Sequence, residues 1–74
     1  MTSTLTDFLL TRIAEDWADA SDNPTYRAEC KARQQVVMVV QRWIDAGYPT
    51  LDRVLFALAL PYADHPDYDE AWRP

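Results

Sequence analysis

One cysteine, one glycine and one histidine occur in 74 residues, and each scarcity closes off a class of protein. A single thiol, Cys30, excludes a disulfide within one chain and fits a reducing compartment. A lone glycine disfavours a meander of tight hairpins, whose turns need positive φ. The sole imidazole, His65, cannot assemble a nitrogen and sulfur ligand set for zinc. No stretch approaches the roughly 18 consecutive apolar residues of a membrane helix. The opening Met1-Thr-Ser-Thr-Leu-Thr-Asp7 has no basic segment, and Phe8-Leu-Leu10 is too short for the apolar core of a signal peptide. The expectation is a cytoplasmic chain with no membrane partner.

What is present is acidic and rich in aromatics. The net charge is −5, with three Trp, four Tyr and two Phe. Residues 1–23 carry one base and five acids, 24–47 four and two, 48–74 two and five, so the segment charges are −4, +2 and −3. Acidic flanks beside a mildly basic centre suggest internal pairing. An acidic domain is a poor binder of nucleic acid, and no direct binding is expected. A chain this short buries only about 60% of its unfolded surface. With disulfides and dense metal sites set aside, the remedies left are self-association and a core rich in aromatics.

The punctuation divides the chain into helices. Thr4 followed by Asp7 suits a capping box, and Leu5, Leu9, Ile13 and Trp17, with Phe8 beside them, form one apolar stripe. This predicts a helix over about residues 5–19. Asn23 as N-cap with Pro24 at the first helical position opens a second helix, about 24–46, which Gly47 and Pro49 close. Its apolar residues Tyr26, Cys30, Val36, Val37, Val39, Val40, Trp43 and Ile44 cover half the circumference, as expected of a central helix with two neighbours. Val36-Val-Met-Val-Val40 has the β-branched character of a strand, but its flanks hold no turn residues. A third helix, about 50–60, starts with Thr50 as N-cap, carries Leu51, Val54, Leu55 and Leu58, and meets Pro61, which ends or kinks it. Pro66, capped by Asp64, opens a short turn over about 66–72 with Tyr68 and Trp72 on one face. The expected fold is all-α: an antiparallel three-helix bundle with a short C-terminal helical turn packed back on it.

Three stretches carry a family likeness. Leu60-Pro-Tyr-Ala-Asp-His-Pro-Asp-Tyr68 with Glu70-Ala-Trp-Arg-Pro74 resembles the ending of a small-protein family of actinobacteria and their phages, known only as a domain of unknown function. Ala28-Glu-Cys-Lys-Ala-Arg33 resembles that family's mid-chain helix, and Asp7-Phe-Leu-Leu10 through Glu15-Asp16 its first. Many members carry a longer, partly strand-like insert between the first two helices, where this chain has Ser21-Asp-Asn-Pro24. The resemblance implies an actinobacterial or phage setting. It brings no reaction, cofactor or catalytic residue.

Several constellations are candidates for chemistry. His65 lies among Asp64, Asp67, Asp69 and Glu70, but Asp67-x-Asp69 lacks the glycine and further ligands of a calcium loop, so a locally bonded His-Pro turn is expected. Cys30 has no base nearby in sequence and reads as a buried core thiol. No catalytic residue and no cofactor are expected. Glu29 and Arg33, one turn apart within the apolar arc, need partners. Arg33, with Arg27 or Lys31, is expected to pair with Glu15, Asp16 and Asp19 at the end of the first helix and to fix the register of the two helices; a partner protein is the rival destination. Arg27, Lys31 and Arg42 form a basic stripe without a phosphate-cradling loop, and Thr50 to Leu60 offers too few polar readers for a DNA-recognition helix. Trp43, Tyr48, Tyr62, Tyr68 and Trp72 either cap a thin core or anchor a partner. The expected role is a non-enzymatic interaction module that binds a host or phage protein or a second copy of itself, with Arg27, Lys31, Tyr68 and Trp72 as its surface. The alternative is an acidic regulator of nucleic-acid transactions, either a DNA mimic or a repressor accessory.

Overall fold

Thr4 already lies within helix α1 (Thr4–Asp19), so it is not the cap that the capping-box spacing suggests. Asp7 lies in the first turn, where its charge suits the positive end of the helix dipole. The computed structural model describes residues 4–74. Helix α2 (Pro24–Asp45) begins as expected: the Asn23 carboxamide oxygen accepts from the Tyr26 amide at 3.0 Å, and Pro24 occupies the first helical position.

The end of α2 is a Schellman motif. Gly47 takes φ +113°, the Gly47 amide donates to the Ile44 carbonyl at 3.1 Å, and the Tyr48 amide donates to the Trp43 carbonyl at 3.0 Å. The apolar contact that accompanies this motif is made by the Trp43 and Tyr48 rings, 5.3 Å apart.

The third helix departs from its expected start. Thr50 is not an N-cap: Pro49–Leu51 form a 3-10 turn, and α3 (Asp52–Ala59) follows without a side-chain cap. Pro49, with φ already set for a helix, opens the structure one turn early. At the other end α3 stops at Ala59, just before Pro61 as expected, and the chain tightens into a 3-10 turn, Leu60–Tyr62. The expected turn over 66–72 is shorter and opens later. It is a 3-10 turn over Glu70–Trp72 capped by Asp69, whose carboxylate accepts from the Ala71 amide at 2.9 Å, and Asp64 plays no capping part.

Among the described residues there are three α-helices and no strand. All three helices pack against one another, and the tail folds back over α1. The core is built from Leu5, Phe8, Leu9 and Ile13 of α1, Cys30 and Val37 of α2, Leu55 and Ala59 of α3, and Tyr68 of the tail. One polar crosslink lies inside it. The Thr6 hydroxyl donates to the Gln41 carboxamide oxygen at 2.6 Å, and the Gln41 amide donates to Asp45 at 2.9 Å. Both Thr6 and Gln41 are buried, so this bond ties α1 to α2 where water cannot replace it. Helix α2, at about 33 Å from its helical rise, accounts for most of the 39 Å long axis of the molecule.

Candidate functional site

The residues expected to face a partner are mostly committed inside the molecule. Phe8 is the hub of the tail. Its ring lies 5.1 Å from Trp72, 5.6 Å from His65 and 6.2 Å from both Tyr62 and Tyr68, in tilted or edge-to-face geometry. Tyr68 is buried and Trp72 half-buried, with their rings perpendicular at 5.5 Å. They hold the tail to α1 and are not open anchors. Arg27 is also taken: its guanidinium stacks 3.4 Å above the Trp17 ring and donates to the Trp17 carbonyl at 3.3 Å. That carbonyl lies in the last turn of α1, where a cation is favoured. Of the expected surface only Lys31 is exposed, at the rim of a cleft between α1 and α2 that Ile13, Trp17 and Cys30 line. Cys30 itself is buried, as a core thiol.

The expected clamp from Arg33 to the acids of α1 is not formed. Among the described residues Glu29, Arg33 and Asp16 enter no ion pair. Glu29 is exposed, and Arg33 lies 6.0 Å from the Tyr26 ring centroid, facing its phenol. Asp16 instead accepts a hydrogen bond from the Tyr62 hydroxyl at 2.6 Å. The phenol stands where the guanidinium was expected, so the link ties α1 to the turn after α3. Burial raises the Tyr62 pKa, and the hydrogen bond and negative charge of Asp16 raise it further.

Arg12 is the residue that sequence reasoning overlooked. Its guanidinium lies 5.4 Å from the Phe8 ring centroid, donates to Glu15 at 3.1 Å, contacts the His65 imidazole and approaches Asp67 at 3.8 Å. The His65 Nδ1 accepts from the Asp67 amide at 3.0 Å, the local bonding expected of a His-Pro turn. One base in a strongly acidic segment was the available signal: a lone cation among acids usually organises them. No group of three or more His, Cys, Asp and Glu is placed to hold a metal among the described residues, and none of their helices is long and apolar enough to cross a membrane.

What remains open is a stripe on α2. Helix α2 has the two neighbours expected of a central helix, α1 and α3, but they leave part of its apolar arc uncovered. Cys30 and Val37 face the core, with Val40 and Ile44 packed at its edge, whereas Val36, Val39 and Trp43 are 42%, 46% and 50% exposed. At 100° per residue, Ala32, Val36, Val39, Trp43 and Ala46 fall within a narrow band opposite Val37 and Gln41. Their spacing of four, three, four and three is that of a coiled-coil seam. All five are exposed, and shallow grooves lined by Gln35, Met38 and Arg42 run along them.

A bundle of this kind, with a packed tail and a bare face on α2, defines a small all-α domain. Residues 18–74 match the model of a family described as a family of unknown function, DUF6221, and the chain belongs to that family. The match takes in α2, α3 and the tail, while the first stretch of likeness, residues 7–16, lies outside it. No curated protein and no solved structure matches the chain.

Proposed function

We propose that this chain is a non-enzymatic docking module whose working surface is the outer face of α2. The observation that supports it is the seam from Ala32 to Ala46, apolar at every position and left exposed by the described residues. A monomeric soluble protein rarely leaves a contiguous apolar strip of this kind bare. Trp43 and Tyr48, packed edge to face and each about half exposed, supply the aromatic anchors at one end. The occupant this face suits is an amphipathic helix that lays residues spaced by three and four into the grooves. The lone thiol and the acidic balance support action in the cytoplasm. The resemblance of the stretch from Leu60 to Pro74 to the ending of an actinobacterial and phage family supports a bacterial or phage setting.

The test is affinity capture from an actinobacterial host that also expresses an untagged copy of the chain, comparing the tagged parent with Val36→Glu/Val39→Glu. The double variant should lose the proteins, or the untagged copies, that the parent retains. Identical captured sets would remove the outer face of α2 as the docking surface.

A further inference from the structure

We infer that the occupant of this face is the same helix of a second copy, packed antiparallel. The inference rests on the docking reading above and specifies its partner. The seam is complementary to itself in one orientation only. When two copies of α2 run antiparallel with the two-fold axis between residues 37 and 38, Trp43 meets Ala32 of the second copy and Val36 meets Val39 of the second copy. Each layer then pairs a large with a small side chain, or two of equal size, as a packed seam requires.

The parallel arrangement fails at the same positions. It would set Trp43 against Trp43 of the second copy, leave Ala32 facing Ala32 across a gap, and place Glu29 against Glu29. Like charges in one layer and aligned helix dipoles both oppose it. Antiparallel packing instead puts Arg42 beside the neutral Gln35 of the second copy, and the dipoles oppose.

The extent of the surface also fits. Val36, Met38, Val39 and Trp43 on α2, and Tyr48 just beyond its end, are each 42–55% exposed. Two such faces together approach the roughly 1,000 Å² that separates a stable interface from an incidental contact. The layers from Ala32 to Trp43 carry no charge; in the same register Ala46 meets Glu29 of the second copy at the exposed end of the seam, where its carboxylate stays in water and is not buried as an unmatched ion. A 74-residue chain with a single small core gains most from such pairing, since it has no disulfide to lean on.

Light scattering on a sizing column at high micromolar concentration reads the outcome. The parent should show twice its 8.6 kDa mass. Val39→Glu should raise the dimer dissociation constant by about thirtyfold or more, with the helical circular dichroism of the monomer retained. Ala32→Trp should also break the dimer, by opposing two indoles in one layer. The double variant Ala32→Trp/Trp43→Ala should restore it, because the large and small positions have only been exchanged. A parent that stays monomeric at this concentration overturns the second-copy assignment. If Val36→Glu/Val39→Glu still abolishes capture in that case, the docking surface stands with a different occupant. A dimer that survives Val39→Glu, or an exchange variant that remains monomeric, overturns the antiparallel seam.

Discussion

The two faces of α2 have nearly the same composition and opposite fates. The inner face carries Cys30, Val37 and Gln41, all buried, with Val37 wholly shielded from solvent. The outer face carries Ala32, Val36, Val39 and Trp43, all exposed. Val36 and Val37 are adjacent, yet one contacts the core and the other does not. The difference does not lie in hydrophobicity, since Val36 on the outer face and Val37 on the inner face are the same residue type. It lies in what is available to cover them. Helices α1 and α3 both pack on α2, and the described residues hold no fourth long helix to cover the face they leave open. Apolar character therefore marks where a helix seeks a partner, and only the rest of the chain decides whether that partner is internal.

The largest break in this comparison comes from putting the same charge on neighbouring residues. Val37→Asp would bury a carboxylate with no base beside it, at a cost of several kcal/mol. That rivals the whole stability of a small domain, so the helical circular dichroism should collapse. Val36→Asp, one residue earlier, should leave the spectrum intact. Equal losses for the two variants would mean that the outer face is covered in the monomer.

The tail provides the next test. It covers α1 as nothing covers the outer face of α2, and Phe8 holds it. Phe8→Ala should cost about 3 kcal/mol, and should raise amide exchange over residues 60–72 well above that in α2. Uniform exchange across the chain would show that the tail is no separate layer resting on one side chain.

Much of this was legible in the chain itself. The α1 stripe of Leu5, Leu9 and Ile13 is buried as its spacing implies, because a four-residue repeat on one helix leaves few alternatives. The ends of α2 were legible too, since Asn23-Pro24 and Gly47 act through local backbone geometry. The outer half of the α2 arc was misassigned for the opposite reason: periodicity gives a direction around a helix but not how much of the arc its two neighbours cover. The pairing of Asp16 was missed because charge alone selects Arg33, whereas the fold brings the Tyr62 hydroxyl to that carboxylate. Thr6 and Gln41 carried no signal at all. They are 35 residues apart and meet only once α1 and α2 are packed.

Tyr62 sharpens the contrast with a smaller effect. Its hydroxyl reaches Asp16 across the helix packing, so Tyr62→Phe should cost about 1.5 kcal/mol, the range of a hydrogen bond to a charged acceptor. The folded phenol holds its proton more tightly than the unfolded one. Its contribution is therefore complete below the unfolded value near pH 10, and is lost as the pH rises through the folded value. Thermal melts of the parent should weaken above about pH 10, and those of Tyr62→Phe should weaken less. Parallel decline of both would remove this phenol as the source.

The smallest effect lies on the outer face and depends on concentration. Val36→Glu touches no core atom, so in dilute solution its melting curve should match the parent within about 0.5 kcal/mol, as for an ordinary surface change. Association with a second copy adds stability by mass action, so the parent should melt higher as it is concentrated, while Val36→Glu should not. The gap between the two proteins should open with concentration and close on dilution, whereas inner-face variants such as Val37→Asp remain unfolded throughout. A parent whose melting point ignores concentration would reduce the outer stripe to a face that self-association does not cover, and the asymmetry of α2 would then belong to a partner of another kind.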